Sequence, residues 1–259
     1  MNSTLWVSKT GLSAQDTALR AISNNLANVG TVGFKKDRAV FEDLVYQINQ
    51  QPGAQSSQDS TLPTGVQLGT GVRVAATQKQ FSIGSLQTTE RSLDMAIEGR
   101  GFFQISMPDG SIAYTRTGSF SVNQDGDIVT SQGYTLEPAV NIPQGSSSLT
   151  ICRDGTVSTV TNGTLTQVGN LQVVDFVNPT GLEAVGGNLY KETVASGAPL
   201  QTTPGLNGTG EVVQGVLESS NVSVVEEMVN MVATQRAYEM NARVVSTADQ
   251  MLQYLAQNV

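Results

Sequence analysis

Leucine recurs at a strict seven-residue interval near the start of the chain, at Leu5, Leu12, Leu19 and Leu26. A period of 3.5 residues is typical of a helix that packs along a narrow strip against a partner helix, as in a coiled coil. We therefore predict a helix over Thr4–Asn28. Asn28 and Gly30 supply stop signals, and a second glycine, Gly33, opposes any resumption of the helix.

The other end of the chain carries a second helical pattern. From Val224 to Val259, positions spaced by three or four residues are mostly apolar, which predicts a helix about 55 Å long. Three candidates for its N-cap precede it, namely Ser219, Ser220 and Asn221. We interpret Glu226 and Glu227 as a solvated acidic face that complements the helix dipole, and not as a catalytic pair.

Between the two helices lies a long polar passage, Gln47–Gly71, which is rich in Gln, Ser, Gly and Pro. Its low apolar content predicts an extended arm without regular structure. A compact domain seldom carries such a segment without a use for it. We expect the arm to form hydrogen bonds along neighbouring molecules through its glutamines, Gln50, Gln51, Gln55 and Gln58.

From about Val72 to Val213 the sequence consists of short apolar runs separated by turns. Asp-Gly or Asn-Gly occurs in "MPDGSI", "NQDGDI", "CRDGTV" and "VTNGTL". These dipeptides predict β-hairpins, because both turn residues tolerate positive φ. One sheet would have a buried face made by Phe102, Phe103, Ile105, Tyr114, Phe120, Val122, Ile128 and Val129.

These patterns together predict an α+β protein. The two end helices would form a coiled-coil domain from residues 1–33 and 222–259. Residues 34–71 would form the extended arm or linker, and residues 72–221 a β-rich outer domain. At 259 residues the chain is long enough for this division.

Catalytic and metal-binding residue sets are missing from the sequence. It contains no histidine and a single cysteine, Cys152, so the usual acid–base residue and any intrachain disulfide are absent. "NQDGD" resembles part of a calcium loop but lacks its remaining ligand spacing, and a hairpin turn explains it. We predict no enzyme activity, no cofactor and no metal site.

The charge distribution disfavours anionic partners. The net charge is −8, and no long basic run is present, so we predict no nucleic-acid partner and no membrane insertion. No stretch reaches the roughly 20 apolar residues that span a bilayer. The first residues carry neither a basic leader nor a continuous apolar run, so we expect no conventional cleaved signal peptide.

The spacing of the apolar residues leaves the partner of the end helices open. The two helices could pair with each other as an ordinary antiparallel hairpin within one molecule. That arrangement would leave alanine and methionine side chains on their other faces without neighbours, and further copies of the chain are the simplest source of such neighbours.

Three motifs in the chain resemble those of the bacterial flagellar axial proteins, the family of rod, hook and hook-junction subunits. The terminal motifs are "LANVGTVGFKKDRAVFEDLVYQ", residues 26–47, and "EEMVNMVATQRAYEMNARVVSTADQML", residues 226–252. The central motif is "DMAIEGRGFFQISMPDGSIAYTRTGSFSVNQDGDIVTSQGYTL", residues 94–136. The length, the single middle domain and the Gln/Ser-rich arm are most similar to distal rod subunits. Proximal rod and hook subunits are the alternatives within the family, and a cell-wall enzyme is the alternative outside it.

The resemblance implies a helical homopolymer that forms a rigid hollow shaft across the periplasm and encloses an export channel. It also implies export through the flagellar type III apparatus. Its implied partners are proximal rod proteins, the hook protein, the peptidoglycan-ring and outer-membrane-ring proteins and the rod cap. The residues expected at the coiled-coil and polymer interface are Leu5, Leu12, Leu19, Ile22, Leu26, Val224, Met228, Met231, Tyr238, Val245 and Leu252.

Overall fold

The structure, a computed structural model, describes residues 3–53, 55–57, 60–61, 63–161 and 163–257. Within these residues, α1 spans Ser3–Ala27 and α2 spans Val224–Gln257. The chain between the helices is mainly β, which confirms the α+β class. Both helices begin and end within two residues of the predicted bounds, and the predicted last residue of α2, Val259, lies outside the described residues.

The strands follow in chain order between the two helices. They are β1 (Asp37–Asp43), β2 (Tyr46–Gln50), β3 (Gln55–Ser57), β4 (Ser60–Thr61), β5 (Val66–Gly69), β6 (Val72–Lys79), β7 (Leu86–Thr88), β8 (Met95–Glu98), β9 (Phe103–Ser106), β10 (Ile112–Thr115), β11 (Phe120–Val122), β12 (Ile128–Thr130), β13 (Thr135–Glu137), β14 (Ser146–Ile151), β15 (Thr156–Thr161), β16 (Thr164–Asn170), β17 (Val173–Asp175), β18 (Glu183–Gly186), β19 (Leu189–Lys191), β20 (Leu200–Thr202), β21 (Glu211–Gln214) and β22 (Val216–Glu218). A single 3₁₀ turn, Pro179–Gly181, lies between β17 and β18 in the described chain.

The chain divides into two compact units. The first, which we call the helical unit, contains Met1–Leu26, Asp37–Gln78 and Ser223–Val259. The second, the β unit, contains Ala27–Lys36 and Lys79–Val222. The division made from the sequence differs from this one over residues 27–78. Residues 27–36 lie in the β unit, and residues 37–78, which include β1 and all of β6 except Lys79, lie in the helical unit.

The stop after α1 uses a different glycine from the one the sequence suggests. The Thr31 backbone N–H donates to Asn28 O at 3.1 Å, which closes the turn after the helix. The left-handed residue is Gly33, with φ of 70°, and Gly30 does not adopt a positive φ. A Cβ on Gly33 would lie 2.8 Å from the backbone of Arg116 and Thr117, so the close approach of these segments requires glycine there.

The N-cap of α2 is Ser223, and the three candidates upstream of it were wrong. Ser223 Oγ accepts a hydrogen bond from the Glu226 backbone N–H at 3.5 Å. Ser223 and Glu226 also have the Ser-x-x-Glu spacing of a capping box, a signal that the sequence analysis missed. Asn221 instead accepts from the Lys36 backbone N–H at 2.8 Å and donates to Gln80 O at 2.8 Å, all within the β unit.

The passage predicted to be an arm without regular structure contains paired strands. Strand β2 pairs with β5 and β3 pairs with β4, both antiparallel. The residues of β2 and β5 are all exposed, so this is a two-stranded ribbon with solvent on both faces. Tyr46 and Ile48 alternate with glutamines, which is a strand pattern despite the low overall apolar content. The Tyr46 ring also covers Gly69, opposite it in the ribbon.

The largest sheet of the β unit has seven strands in the order β11-β12-β13-β9-β10-β19-β18. The four predicted hairpins are confirmed: each Asp-Gly or Asn-Gly motif joins two antiparallel strands. The predicted turn geometry was wrong, because in the Asp-Gly turns the glycine has positive φ but the aspartate does not. In each of these turns the glycine N–H donates to the residue three before it, at Met107, Asn123 and Cys152. This pattern belongs to a type I turn followed by a left-handed glycine.

The predicted core of this sheet is buried except at Val122, which is 41% exposed at the sheet edge. The sequence predicted that these residues share one face of the sheet. In the structure they lie on both faces. Phe102 packs with Tyr114, Val174, Phe176 and Tyr190, whereas Phe103 packs in a separate cluster that includes Phe120 and Ile128. Consecutive residues of a strand point to opposite faces, and both faces of this sheet are covered.

A buried charge cluster joins distant segments within the β unit. Lys35 Nζ lies 2.5 Å from Glu218 Oε1, and Arg116 Nε lies 3.0 Å from Glu218 Oε2 as an ion pair. Lys35 also donates to Ser82 O at 2.7 Å, and the Arg116 guanidinium donates to Gly101 O and Gly99 O. Burial lowers the pKa of Lys35, although Glu218 opposes that shift. Two cations thus surround one carboxylate with almost no exposure to solvent.

Candidate assembly surface

Helices α1 and α2 of the helical unit meet in an antiparallel arrangement. The Asn25 side chain donates from Nδ2 to Glu227 Oε2 at 3.3 Å. Fourteen residues earlier in α1, a Cβ on Gly11 would lie 3.1 Å from Asn241 Nδ2, and Asn241 is fourteen residues later in α2. Both contacts therefore fit one antiparallel register. The helices therefore pair antiparallel within one molecule, which is one of the two arrangements that the apolar spacing left open, and the predicted coiled coil of the end helices stays a prediction.

The leucines of α1 lie beside the line of closest contact. Gly11 and Asn25 mark that line, and at 3.6 residues per turn the leucine stripe is displaced from it by about a quarter turn. Leu5, Leu12, Leu19 and Leu26 are all half-buried, and Ile22 is buried. The leucines are therefore only partly covered by the rest of the helical unit.

The predicted residues of α2 fall into two groups. Met231 and Val245 are half-buried, on the side of α2 that carries Glu227. The remaining four are exposed, namely Val224, Met228, Tyr238 and Leu252. One helix can cover only one face of another, and α2 is nine residues longer than α1, with 34 residues against 25.

An apolar stripe on α2 faces away from α1, and of its members only the methionines were expected from the sequence to lack neighbours within one molecule. At about 100° per residue, its members cover an arc of about 100° that is centred roughly opposite Glu227, with Met251 at the edge of the arc nearer Asn241. Each is between 48% and 73% exposed. We call this set the outer stripe: Val225, Val229, Val232, Met240, Met251 and Tyr254. The spacing of three, four and seven or more residues could have revealed it, but two apolar faces on one helix blur the periodicity.

The strand pairs of the helical unit add further exposed apolar side chains. These are Phe41, Val45, Tyr46, Ile48, Val66 and Leu68, each at least 41% exposed. The predicted arm contacts Gln50 and Gln51 are also exposed. Gln55 lies in β3, but its side chain is not described, and Gln58 lies outside the described residues.

Glu227 corrects one interpretation of the acidic start of α2. Only 4% of it is exposed, so it does not belong to a solvated face. Its donor, Asn25, is 1% exposed and is held by the backbone of Asp37: Asn25 Oδ1 accepts from Asp37 N at 2.8 Å, and Nδ2 donates to Asp37 O at 2.9 Å. This polar contact fixes the end of α1 to β1 and to the start of α2.

The β unit contains a cleft of about 180 Å³ that bears on the enzyme alternative. Its lining includes Phe81, Phe102 and Pro179 with Arg100 and Asp175. Asp175 is the single carboxylate among the residues that line it, and Arg100 Nη2 lies 3.2 Å from its Oδ2. A glycoside hydrolase that works with two carboxylates needs a second one across the cleft.

The described residues contain neither a candidate metal site nor a membrane-spanning helix. No group of three or more His, Cys, Asp or Glu residues in that part of the chain is placed to hold a metal ion. Neither helix is apolar enough along its length to cross a bilayer.

Three family models match the chain in consecutive regions. A model for flagella basal body rod proteins matches residues 5–35, one for the FlgE/F/G hook protein D1 domain matches residues 96–159, and one for the C-terminal region of flagellar basal body rod FlgEFG proteins matches residues 213–258. Curated relatives match over nearly the full length. The flagellar basal-body rod protein FlgG of Buchnera aphidicola subsp. Acyrthosiphon pisum is 55% identical over 98% of both chains. The chain belongs to the flagellar basal-body rod protein family.

Other members of this family are also similar over nearly the full length of the chain. FlgG of Buchnera aphidicola subsp. Schizaphis graminum is 56% identical over 98% of both chains, and FlgG of Borreliella burgdorferi is 45% identical over 96% of this chain and 95% of its own. The family is structural and not enzymatic, as predicted. Both terminal models extend beyond the helices, one to Lys35 and the other back to residue 213.

Proposed function

We propose that this chain is the distal rod subunit of the bacterial flagellar basal body. Copies of it polymerise helically into a rigid hollow shaft that transmits torque and encloses the export channel. Family membership supports the role of a rod component. The length and the ribbon in residues 46–69 support the distal position, as judged by the resemblance of this segment to distal rod subunits.

The observation that carries the proposal is the outer stripe of α2. Six large apolar side chains on one helix face are each about half or more exposed, although a monomer usually has only scattered exposed apolar residues. A second copy of the chain would cover this stripe. A contact between two different surfaces, repeated by a rotation that does not close, produces a filament.

The interface residues predicted from the sequence would contribute to contacts between copies of the chain. The leucine stripe of α1 is half covered within one molecule, so it has surface left for a neighbouring copy. Val224, Met228, Tyr238 and Leu252 are also exposed on α2, although Tyr238 and Leu252 lie on the side that carries Glu227 and not beside the outer stripe. The coiled-coil inner wall of the shaft would be made by residues 1–33 and 222–259 of many copies.

A charge placed in the outer stripe tests the proposal. Val229→Asp would bury a carboxylate without a partner in each subunit contact, so assembly should fail. Asn230→Asp adds the same charge at the next, exposed position and is the matched control. Sedimentation velocity and electron microscopy of both purified variants measure tube formation. Circular dichroism checks that α2 is equally helical in both, and tubes of normal length from Val229→Asp would contradict the proposal.

The ribbon, in this scheme, wedges between subunits and stiffens the shaft. Both of its faces carry exposed apolar and glutamine side chains, which suit contacts with neighbours on either side. Deletion of Gln55–Thr64 should lower the bending stiffness of the assembled tube, measured from its persistence length in electron micrographs. A second variant, in which Gly and Ser replace residues 55–64 without a change of length, separates the effect of the side chains of this segment from that of its length. An unchanged stiffness in both variants would reject the wedge.

The partners and the export route follow from the same proposal. In the assembled flagellum the chain contacts proximal rod proteins, the hook protein, the ring proteins around the rod and the rod cap, and it reaches the tip through the type III apparatus.

A proximal rod or hook subunit is the second candidate. It is supported by the family model for the D1 domain, whose description covers hook and rod proteins together. Antibody labelling of purified basal bodies distinguishes the positions, since a distal subunit lies next to the hook and a proximal one lies next to the inner end of the rod.

A further inference from the structure

The contact line between α1 and α2 repeats every seven residues on both helices. On α1 it passes through Gly11, Ala18 and Asn25. On α2 it passes through Glu227, Thr234, Asn241 and Ala248. The two recorded contacts pair Asn25 with Glu227 and Gly11 with Asn241, so helix geometry places Ala18 opposite Thr234.

Small side chains on this line do not distinguish one alignment from another. If one helix slips by seven residues, Gly11 takes the place of Ala18, or Ala18 that of Gly11, and each then faces another residue of the α2 contact line. One slip would place Ala18 opposite Glu227. The opposite slip would move Asn25 to Thr234 and leave Glu227 beyond the end of α1. A slip would set Gln15 or Val29 against the part of α2 that now faces buried Ile22, so the apolar contact changes at that position.

The Asn25–Glu227 contact does distinguish them. Glu227 is buried, and Asn25 Nδ2 is its recorded hydrogen-bond donor across the helix pair. Asn25 is itself held in place by two hydrogen bonds to the backbone of Asp37, so the donor cannot follow a slipped α2. In one slipped alignment Glu227 faces Ala18, which offers no hydrogen bond, and in the other it lies beyond the end of α1, so the carboxylate loses this donor in both.

We propose that Asn25 and Glu227 form a register key that selects one of the heptad-related alignments of α1 and α2. A single buried polar contact can specify register in paired helices even where it adds nothing to stability. The consequence for assembly rests on the proposed function: in a shaft where many such helices pack side by side, the key keeps every copy in the same alignment. The register itself is a property of the single molecule.

Engineered disulfides show which alignment the two helices adopt, because each cysteine pair can form in only one of the three. In a Cys152→Ser background, Gly11→Cys is combined with Asn241→Cys for the observed alignment, and with Thr234→Cys or Ala248→Cys for the two slipped ones. Each pair is then tested with Glu227→Met, which removes the acceptor, and with Glu227→Gln, which keeps an acceptor oxygen without the charge. Glu239→Met is the matched control, because it makes the same change at an exposed position of α2.

With native Glu227, with Glu227→Gln and with Glu239→Met, the pair at positions 11 and 241 should cross-link at least about tenfold more than either slipped pair. In Glu227→Met this ratio should fall to about threefold or less, while helical circular dichroism and the unfolding midpoint stay the same or rise. A ratio that stays at tenfold would overturn the proposal. So would a loss of helix in Glu227→Met that Glu239→Met does not share, because it would show a role in folding.

The disulfides are measured in dilute monomer and again after assembly. The monomer result could support the register key while the native chain fails to form tubes. That outcome would contradict the proposed function and leave the register key intact. Tubes that form normally from Glu227→Met with uniform subunit spacing by electron microscopy would instead overturn the key's role in assembly.

Discussion

Gly33 is the residue that connects the end of α1 to the interior of the β unit. Its N–H donates to Glu218 O at 2.8 Å, and its φ of 70° turns the chain toward Lys35. The sequence marks Gly30 as the helix stop and Gly33 only as a barrier to a second helix. Sequence alone does not show which of the two takes the left-handed conformation, because the difference arises from the backbone of Arg116, more than eighty residues away.

Gly33→Ala should lower the free energy of unfolding by about 2 kcal/mol or more, because a left-handed alanine is strained and its Cβ would also press on the Arg116 backbone. Gly30→Ala is the matched control. No atom lies within 4 Å of a Cβ built there, so its effect should stay within about 1 kcal/mol and can be stabilising. Urea unfolding of both variants decides the matter, and equal effects would contradict this account of Gly33.

The charge cluster around Glu218 predicts an asymmetry between two substitutions. Glu218→Gln would leave Lys35 and Arg116 buried without their carboxylate and should cost about 3 to 5 kcal/mol. Lys35→Met leaves one cation with one anion and a side chain of similar length, so it should cost less than half as much. Denaturant unfolding followed by near-ultraviolet circular dichroism measures both. A larger loss of unfolding free energy in Lys35→Met than in Glu218→Gln would show that the hydrogen bond from Lys35 to Ser82 O matters more than the charge balance.

At the scale of elements, the hairpins show where pattern reasoning succeeds and where it stops. Asp-Gly between apolar runs located the turns correctly, because glycine and short polar residues are needed wherever the chain reverses. The turn type was wrong since Asp-Gly fits more than one type. Here Asp109 and Asp154 each accept a hydrogen bond from the backbone N–H two residues later, which favours a type I turn. The pKa of Asp109 is lowered first by the hydrogen bond from the Ser111 hydroxyl and then by the one from its N–H, and the Thr156 N–H lowers the pKa of Asp154.

The same turn type predicts graded effects of alanine at its glycine. Gly110→Ala should cost about 1 kcal/mol, because only the left-handed φ of 78° is unfavourable and no atom lies near the added methyl group. Gly155→Ala should cost clearly more, since its Cβ would lie 2.5 Å from Leu171 O. Thermal unfolding of the two variants measures the order, and a costlier Gly110→Ala would contradict it.

The helices were predicted within two residues, but their contacts were not. Heptad spacing identifies a helix that packs along a strip, and the leucines drew attention because they are large. The closest recorded contacts involve Gly11 and Asn25, which no hydrophobicity pattern selects. Likewise Glu227 is buried because it contacts Asn25, about two hundred residues away in sequence. The sequence around two adjacent glutamates at a helix start gives no sign of that contact, so both were predicted to be exposed to solvent. The predicted interface residues of both helices remain a prediction about the assembled state.

For the whole molecule, the two units differ in how much of their apolar surface they bury. The β unit has three buried clusters, whereas the helical unit carries the outer stripe and the exposed ribbon. In a dilute solution of the full chain, amides of α1 and α2 should exchange hydrogen at least about a hundredfold faster than those of β9 and β10. Assembly should slow exchange in the helices alone. Uniform protection along the dilute chain would show that the helical unit is stable by itself.

Cys152, the only cysteine of the chain, is exposed in the turn between β14 and β15. A maleimide dye would therefore mark every copy once, at the same spot and away from both helices in sequence. In an assembled tube the energy transfer between such dyes would report the spacing of neighbouring subunits, and so supply a molecular ruler without any engineered attachment point.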